Sequence, residues 1–226
     1  MAGISGSISG IPFSASRVVK FKHLDKSIAH IEPDVGDDTG KWSRGAMADS
    51  GVIYCSPLDG NRGILKIDTN TDNVPELDRN LLTSCALAVD GCIYFMPFNA
   101  LRFMKLNPNN NDAISSAGDD LGNGVFKYTG TVVGIDGCGY GIPCYSKRVI
   151  KYDDIISFVG EEDDEYFMCG GNGVLGRDGC IYTLVGGDEA LKIDTTNNSH
   201  CFVGNTVESD HADSNEKGDG ILGIDG

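Results

Sequence analysis

Apolar residues along this chain come in short runs separated by Gly, Asp, Asn and Ser, and helical periodicity is scarce. Gly130-Thr-Val-Val-Gly-Ile135 is one such run, and it ends in Asp136-Gly137. An Asp-Gly pair between two strand-like runs supplies the positive φ angles of a tight hairpin. A second strand is therefore expected from Cys138 to Pro143, a third over Arg148-Val-Ile-Lys-Tyr152, and a fourth over Ile156-Ser-Phe-Val159 before Gly160 and an acidic loop. The pattern predicts four short antiparallel strands joined by tight turns.

That unit recurs from one end of the sequence to the other. Anchored on the turn glycine, copies fall at Gly6, Gly51, Gly91, Gly137, Gly179 and Gly226, at intervals of 45, 40, 46, 42 and 47 residues. Asp90-Gly-Cys-Ile-Tyr94 and Asp178-Gly-Cys-Ile-Tyr182 match Asp136-Gly-Cys-Gly-Tyr140. A second box follows each anchor: Arg17-Val-Val-Lys20, Ile64-Leu-Lys-Ile-Asp68, Arg102-Phe-Met-Lys105, Arg148-Val-Ile-Lys-Tyr-Asp153 and Ala190-Leu-Lys-Ile-Asp194. Turns between third and fourth strands, such as Asp68-Thr-Asn-Thr-Asp-Asn73 and Asp194-Thr-Thr-Asn-Asn198, are built from residues whose side chains turn the backbone. Four strands per 40–45 residues is the blade period of a β-propeller.

The blades resemble those of NHL, YVTN and Kelch-like propellers, and the NHL type through Cys85-Ala-Leu-Ala-Val-Asp-Gly-Cys-Ile-Tyr94 and Arg148-Val-Ile-Lys-Tyr-Asp153. The resemblance implies an all-β fold of five four-stranded blades in a single domain, residues 1–226. Blades are expected near 3–44, 45–84, 85–129, 130–172 and 173–219. Residues 220–226 either complete the first blade, closing a ring, or begin another blade of a larger propeller. The group includes binding scaffolds and a few hydrolases and lyases, so it bears little on function.

Composition narrows the partners. The net charge of −15 speaks against a phosphate-binding surface and hence against nucleic acid. No apolar run approaches the ~20 residues of a transmembrane helix, and no signal peptide is visible, so a membrane is not expected and the cytoplasm is favoured. Of the eight cysteines, Cys92, Cys138 and Cys180 share one repeat position, which favours small buried thiols over disulfides. His23, His30, His200 and His211 lack ligand spacing, and Asp68-x-Asn70-x-Asp72 reads as a turn rather than a calcium loop, because Asn73 and Arg79 replace the required Gly and Glu. Neither a metal nor a cofactor is expected.

Residues common to every copy serve folding, so functional candidates lie where the copies differ. Loops after the fourth strand gather acids: Asp37, Asp38, Asp119, Asp120, Glu161 and Glu162, continuing through Glu165 and, near the end, Glu208 to Asp219. Arg102 and Arg148 enter the same face of the blades from neighbouring loops. Trp42 and Tyr128 each stand nine residues before an anchor glycine and follow a lysine, Lys41 or Lys127. These define the expected ligand surface, for a protein partner or a small or cationic ligand. The alternative is a solvated rim whose acids pair locally with the arginines. The first strands, such as Ala86-Leu-Ala-Val89, are almost wholly apolar, which leans against catalysis. The runner-up function is a hydrolase or lyase with a metal or carboxylates in the central channel.

Overall fold

A computed structural model describes residues 6–58, 61–79, 84–153, 155–164, 167, 169, 171–185 and 189–204, with 78 and 79 described through their backbone alone. Among them every regular element is a β-strand, and the strands form five antiparallel sheets. The first holds β1 (Ile8–Gly10), β2 (Val18–Lys22) and β3 (Ser27–Ile31). The second holds β4 (Trp42–Met47), β5 (Val52–Pro57), β6 (Gly63–Asp68) and β7 (Glu76–Arg79). The third holds β8 (Ser84–Leu87), β9 (Ile93–Met96), β10 (Phe103–Asn107) and β11 (Ala113–Ala117). The fourth holds β12 (Tyr128–Val133), β13 (Gly139–Pro143), β14 (Val149–Tyr152) and β15 (Ile156–Val159). The fifth holds β16 (Val174–Leu175), β17 (Cys180–Leu184), β18 (Ala190–Asp194) and β19 (Ser199–Val203).

Strands pair in chain order within each sheet, so every sheet is a meander and each is a propeller-type blade. The anchor glycines explain the turns: Gly6, Gly51, Gly91, Gly137 and Gly179 all have φ between +72° and +84°, the left-handed region that L side chains rarely adopt. Blades two and four begin earlier than the apolar pattern implies, at Trp42 and Tyr128. Both first strands slip register just after that aromatic residue, between Trp42 and Arg44 and between Tyr128 and Gly130. The start of the first blade near residue 3 and the expectations for residues 220–226 lie outside the described residues, as do those for Glu165, His211 and the acids from Glu208 to Asp219.

The chain forms two compact units. One comprises residues to 87, 91–95 and 103–116, carrying the first three blades. Its core packs Val18, Trp42, Ile53, Leu65 and Ile67. The other comprises 88–90, 96–102 and 117 onward, carrying blades four and five, with Tyr140, Ile142, Val149, Phe167, Ile181 and Ile193 at its core. Second strands are buried on both faces, as β13 is throughout, whereas the fourth strands β11, β15 and β19 are largely exposed. That gradient explains why second strands read as unbroken apolar text and fourth strands do not.

The repeated lysine and tyrosine form a latch between blades. Lys20 donates to the Thr69 carbonyl at 3.0 Å and pairs with Asp72 at 2.6 Å, on the turn of the following blade. Lys66 pairs with Asp112 at 2.5 Å, again one blade on, and Lys151 donates to Asn198 at 3.0 Å in the same relation. Asp72, Asp112 and Asn198 share a backbone φ of 55–57°, which aims each side chain back at the preceding blade. These lysines thus reach beyond their own blade, because the turn they meet belongs to the next repeat. Lys151 does both, pairing with Asp136 at 2.7 Å, while the Tyr140 hydroxyl donates to Asp136 at 2.8 Å.

Gly139 replaces the isoleucine that the second strands of blades two, three and five carry before their tyrosine, and its register partner accounts for it. Ile53 faces Ile67, Ile93 faces Leu106 and Ile181 faces Ile193, but Gly139 faces Tyr152. A Cβ on Gly139 would lie 1.9 Å from the Tyr152 ring, whose hydroxyl is hydrogen-bonded to Thr131. The Tyr152 ring thus occupies the space over Gly139 that an isoleucine side chain takes in the other blades.

Candidate functional site

In the first unit, the expected site residues form a closed knot. Trp42 is fully buried and donates its indole N–H to the Gly63 carbonyl at 2.8 Å. Arg62 lies 5.3 Å above the indole and pairs with Asp38 at 2.6 Å and Glu76 at 3.0 Å through its two terminal nitrogens. Burial opposes the charge on Arg62, but the hydrogen bonds it donates to Asp38 and Glu76 more than offset this and raise its pKa. Lys41, also buried, donates to the Asp38 carbonyl at 2.6 Å and ties the loop down. Arg62, Asp38, Glu76 and Lys41 each face a partner within the unit, above the buried Trp42. Asp37 is exposed on the same loop.

The second unit builds the same corner open. A cleft of about 560 Å³ is lined by Asp120, Lys127, Tyr128, Arg148, Phe158 and Glu162, with Tyr145 and Ser146 at its edge. Four of the residues singled out in the sequence, Asp120, Tyr128, Arg148 and Glu162, therefore meet at one place. Tyr128, 1% exposed, forms the floor; its hydroxyl lies 3.3 Å from the Arg148 carbonyl and accepts from Ser146 at 3.2 Å. Burial pushes its pKa up to about 12, so it stays neutral. Arg148 lies over the Phe158 ring at 4.5 Å and donates through Nε to Glu162 at 3.1 Å. Lys127 donates to the carbonyls of Gly122 and Gly124; burial lowers its pKa, and Asp120 partly offsets this. Lys147 donates to the Asp164 carbonyl at 2.5 Å.

The loop after the fourth strand makes the difference. From Gly36 to Trp42 is six positions, and from the equivalent Gly118 to Tyr128 is ten. The four extra residues carry Asp120 back from the arginine turn. Asp120 then caps its own loop, accepting the Gly122 N–H at 2.7 Å, and Phe126 anchors the far end with its N–H on Asn99 and its ring against Phe98. The lining is also more mixed than an acidic rim: Lys127, Lys147 and Arg148 stand with Asp120 and Glu162. Arg102 stays apart, 3.4 Å from the Gly118 carbonyl, and Asp119 and Glu161 are exposed outside the cleft lining. Phe158, Tyr145 and Lys147 were not legible as site residues. The longer loop was the available signal for them, since it leaves the neighbouring turn uncovered.

Among the described residues no group of three or more His, Cys, Asp or Glu side chains is placed to hold a metal ion. The carboxylate of Asp68 is taken up by its own turn, accepting from the Asn70 and Thr71 backbones and the Thr71 hydroxyl. All eight cysteines are free, Cys201 exposed and Cys144 half-buried.

No family model matches the chain, and no curated protein matches it by sequence. Solved structures do. A streptogramin B lyase superposes with a TM-score of 0.68 at 14% identity, covering 89% of this chain and 66% of its own. A gluconolactonase from Xanthomonas campestris gives 0.52 at 14% identity, covering 88% and 71%. An auxiliary nutrient binding protein from Bacteroides ovatus gives 0.57 at 10%, covering 87% and 53%. The fold is the β-propeller. At these identities the likeness carries the architecture alone, and the chain spans about two thirds of the lyase and about half of the nutrient binding protein.

Proposed function

We propose that this propeller is a non-catalytic binding module whose small-molecule site is the cleft of the second unit. One observation carries the reading: side chains that break the repeat gather at a single concave corner, over an aromatic floor, while their counterparts at Trp42 and Arg62 close on one another. Concave sites with an apolar base and a few convergent polar groups are the usual form of a ligand pocket. The nutrient binding protein among the structural neighbours fits this reading.

The lyase and the gluconolactonase keep an enzymatic reading in play, and Lys127, with its lowered pKa, is the cleft group best suited to move a proton. Against that, Lys41 holds the same position in the closed corner and binds a loop carbonyl there too, which marks the lysine as a structural tie. The test is amide-resolved NMR with a fragment set of neutral and singly charged aromatic and aliphatic compounds. Shifts are expected to concentrate at residues 120–128, 145–148 and 158–162, and hits should be recovered unchanged after prolonged incubation. Shifts confined elsewhere would overturn the assignment of the cleft, and turnover abolished by Lys127→Met would overturn its non-catalytic character.

A further inference from the structure

Resting on the cleft as the ligand site, the geometry points to a class of ligand. We propose that the cleft takes a free α-amino acid with an apolar side chain, its carboxylate on Arg148, its ammonium on Asp120 and its side chain against Phe158 and Tyr145.

The internal repeat supplies the comparison. Arg62 and Arg148 leave the same turn between second and third strands, one position out of step, since Arg148 takes the place of Gly63. Both peptide carbonyls at that place meet the aromatic residue that opens the first strand. In the closed corner, Arg62 spends one terminal nitrogen on Asp38 and the other on Glu76. In the open corner, Glu162 takes only Nε, and among the described residues both terminal nitrogens of Arg148 are left without a protein partner. Asp120, the counterpart of Asp38, gives one oxygen to its own loop and has no ion pair with Arg148. An arginine and a carboxylate that meet directly in one blade are thus separated by a cleft in the other. The ligand completes the pair by presenting an anionic acceptor to one side and a cationic donor to the other.

Charge balance argues for both groups on one molecule. The lining carries three cations and two carboxylates, and Lys127 and Lys147 already donate to loop carbonyls. A dianion would bring an anionic group against Asp120, and a dication a cationic group against Arg148. A zwitterion meets opposite charge at both. A guanidinium presents paired N–H donors that match a carboxylate, and such charge-assisted bonds are about twice as strong as neutral ones. Phe158 and Tyr145, both exposed at the cleft beside the buried Tyr128, offer the remaining surface to an apolar or aromatic side chain.

The experiment is calorimetric titration with three compounds: L-phenylalanine, 3-phenylpropionate, which lacks the amine, and 2-phenylethylamine, which lacks the carboxylate. Amide shifts locate each compound. Phenylalanine is expected to bind at the cleft at least tenfold more tightly than either analogue. Asp120→Asn should reduce it to the level of phenylpropionate, and Arg148→Gln to that of phenylethylamine, with the thermal midpoint of each variant within a few degrees of the parent. If either analogue binds the cleft as well as phenylalanine, the zwitterion is wrong and the cleft reading stands. If none of the three moves cleft resonances while neutral fragments do, the ligand class is wrong and the site stands. If neither set moves them, both fall.

Discussion

At the scale of single residues, Gly139 and Tyr152 show how a repeat tolerates an exception. The glycine has an ordinary strand conformation, and what requires it is the ring opposite, which lies where an isoleucine side chain lies in three other blades. Gly139→Ala is expected to cost about 1–3 kcal/mol through overpacking. Tyr152→Leu alone should also destabilise, by opening a cavity and leaving the Thr131 hydroxyl without its partner. Together the changes should cost less than their sum, with a coupling of roughly 0.5–3 kcal/mol. Chemical denaturation of the four proteins measures this, and strict additivity would refute the compensation. The sequence displayed the irregular glycine openly. It did not display the reason, because register partners are thirteen residues apart and their volumes matter only once the strands are paired.

At the scale of elements, the latch between blades joins a lysine on one third strand to a left-handed residue on the next blade's turn. Blade two lacks the acid that precedes the anchor glycine in blades three to five, having Ser50 there. Its tyrosine turns to Asp112 instead, donating at 2.5 Å, and Lys66 pairs with the same carboxylate. Asp112→Ala should therefore cost about 2–3 kcal/mol, since it strands a buried hydroxyl and an ammonium together. Adding Ser50→Asp restores the arrangement of Asp136 with Tyr140 and Lys151, and at least half of the loss should return. A double variant no more stable than Asp112→Ala would show that blade two cannot use the local acid. Strand positions were readable from Asp-Gly turns and alternation to within a few residues, and the fourth strand Ile156–Val159 agrees residue for residue. Blade starts at Trp42 and Tyr128 were harder to read, since a bulge interrupts the alternation there.

At the scale of the whole molecule, acids dominate the charge, yet several carboxylates in both units hold their protons loosely. In Asp68 the Thr71 hydroxyl lowers the pKa below the ordinary 3.8 against the pull of burial, and in Asp178 the Tyr182 hydroxyl does the same. In Asp136 burial works the other way, and bonds from Lys151 and Tyr140 outweigh it. A carboxylate whose pKa is lower folded than unfolded adds stability that is fully present above the unfolded value and is lost as pH falls through the folded one. Stability measured by denaturant should thus decline below about pH 4, and Asp136→Asn should flatten that decline. An unchanged slope would remove Asp136 from the account. The ligand surface was legible only in outline at this scale. Counting acids pointed to the loops after the fourth strands, but whether an acid pairs with a neighbouring arginine depends on loop length, and that distinguishes Asp38 from Asp120.

The latch has a direction. In blades one, two and four the ammonium reaches forward, to a carboxylate or amide on the blade that follows. Each of these seams therefore has a giving side and a receiving side, so the blades they join are ordered as well as held.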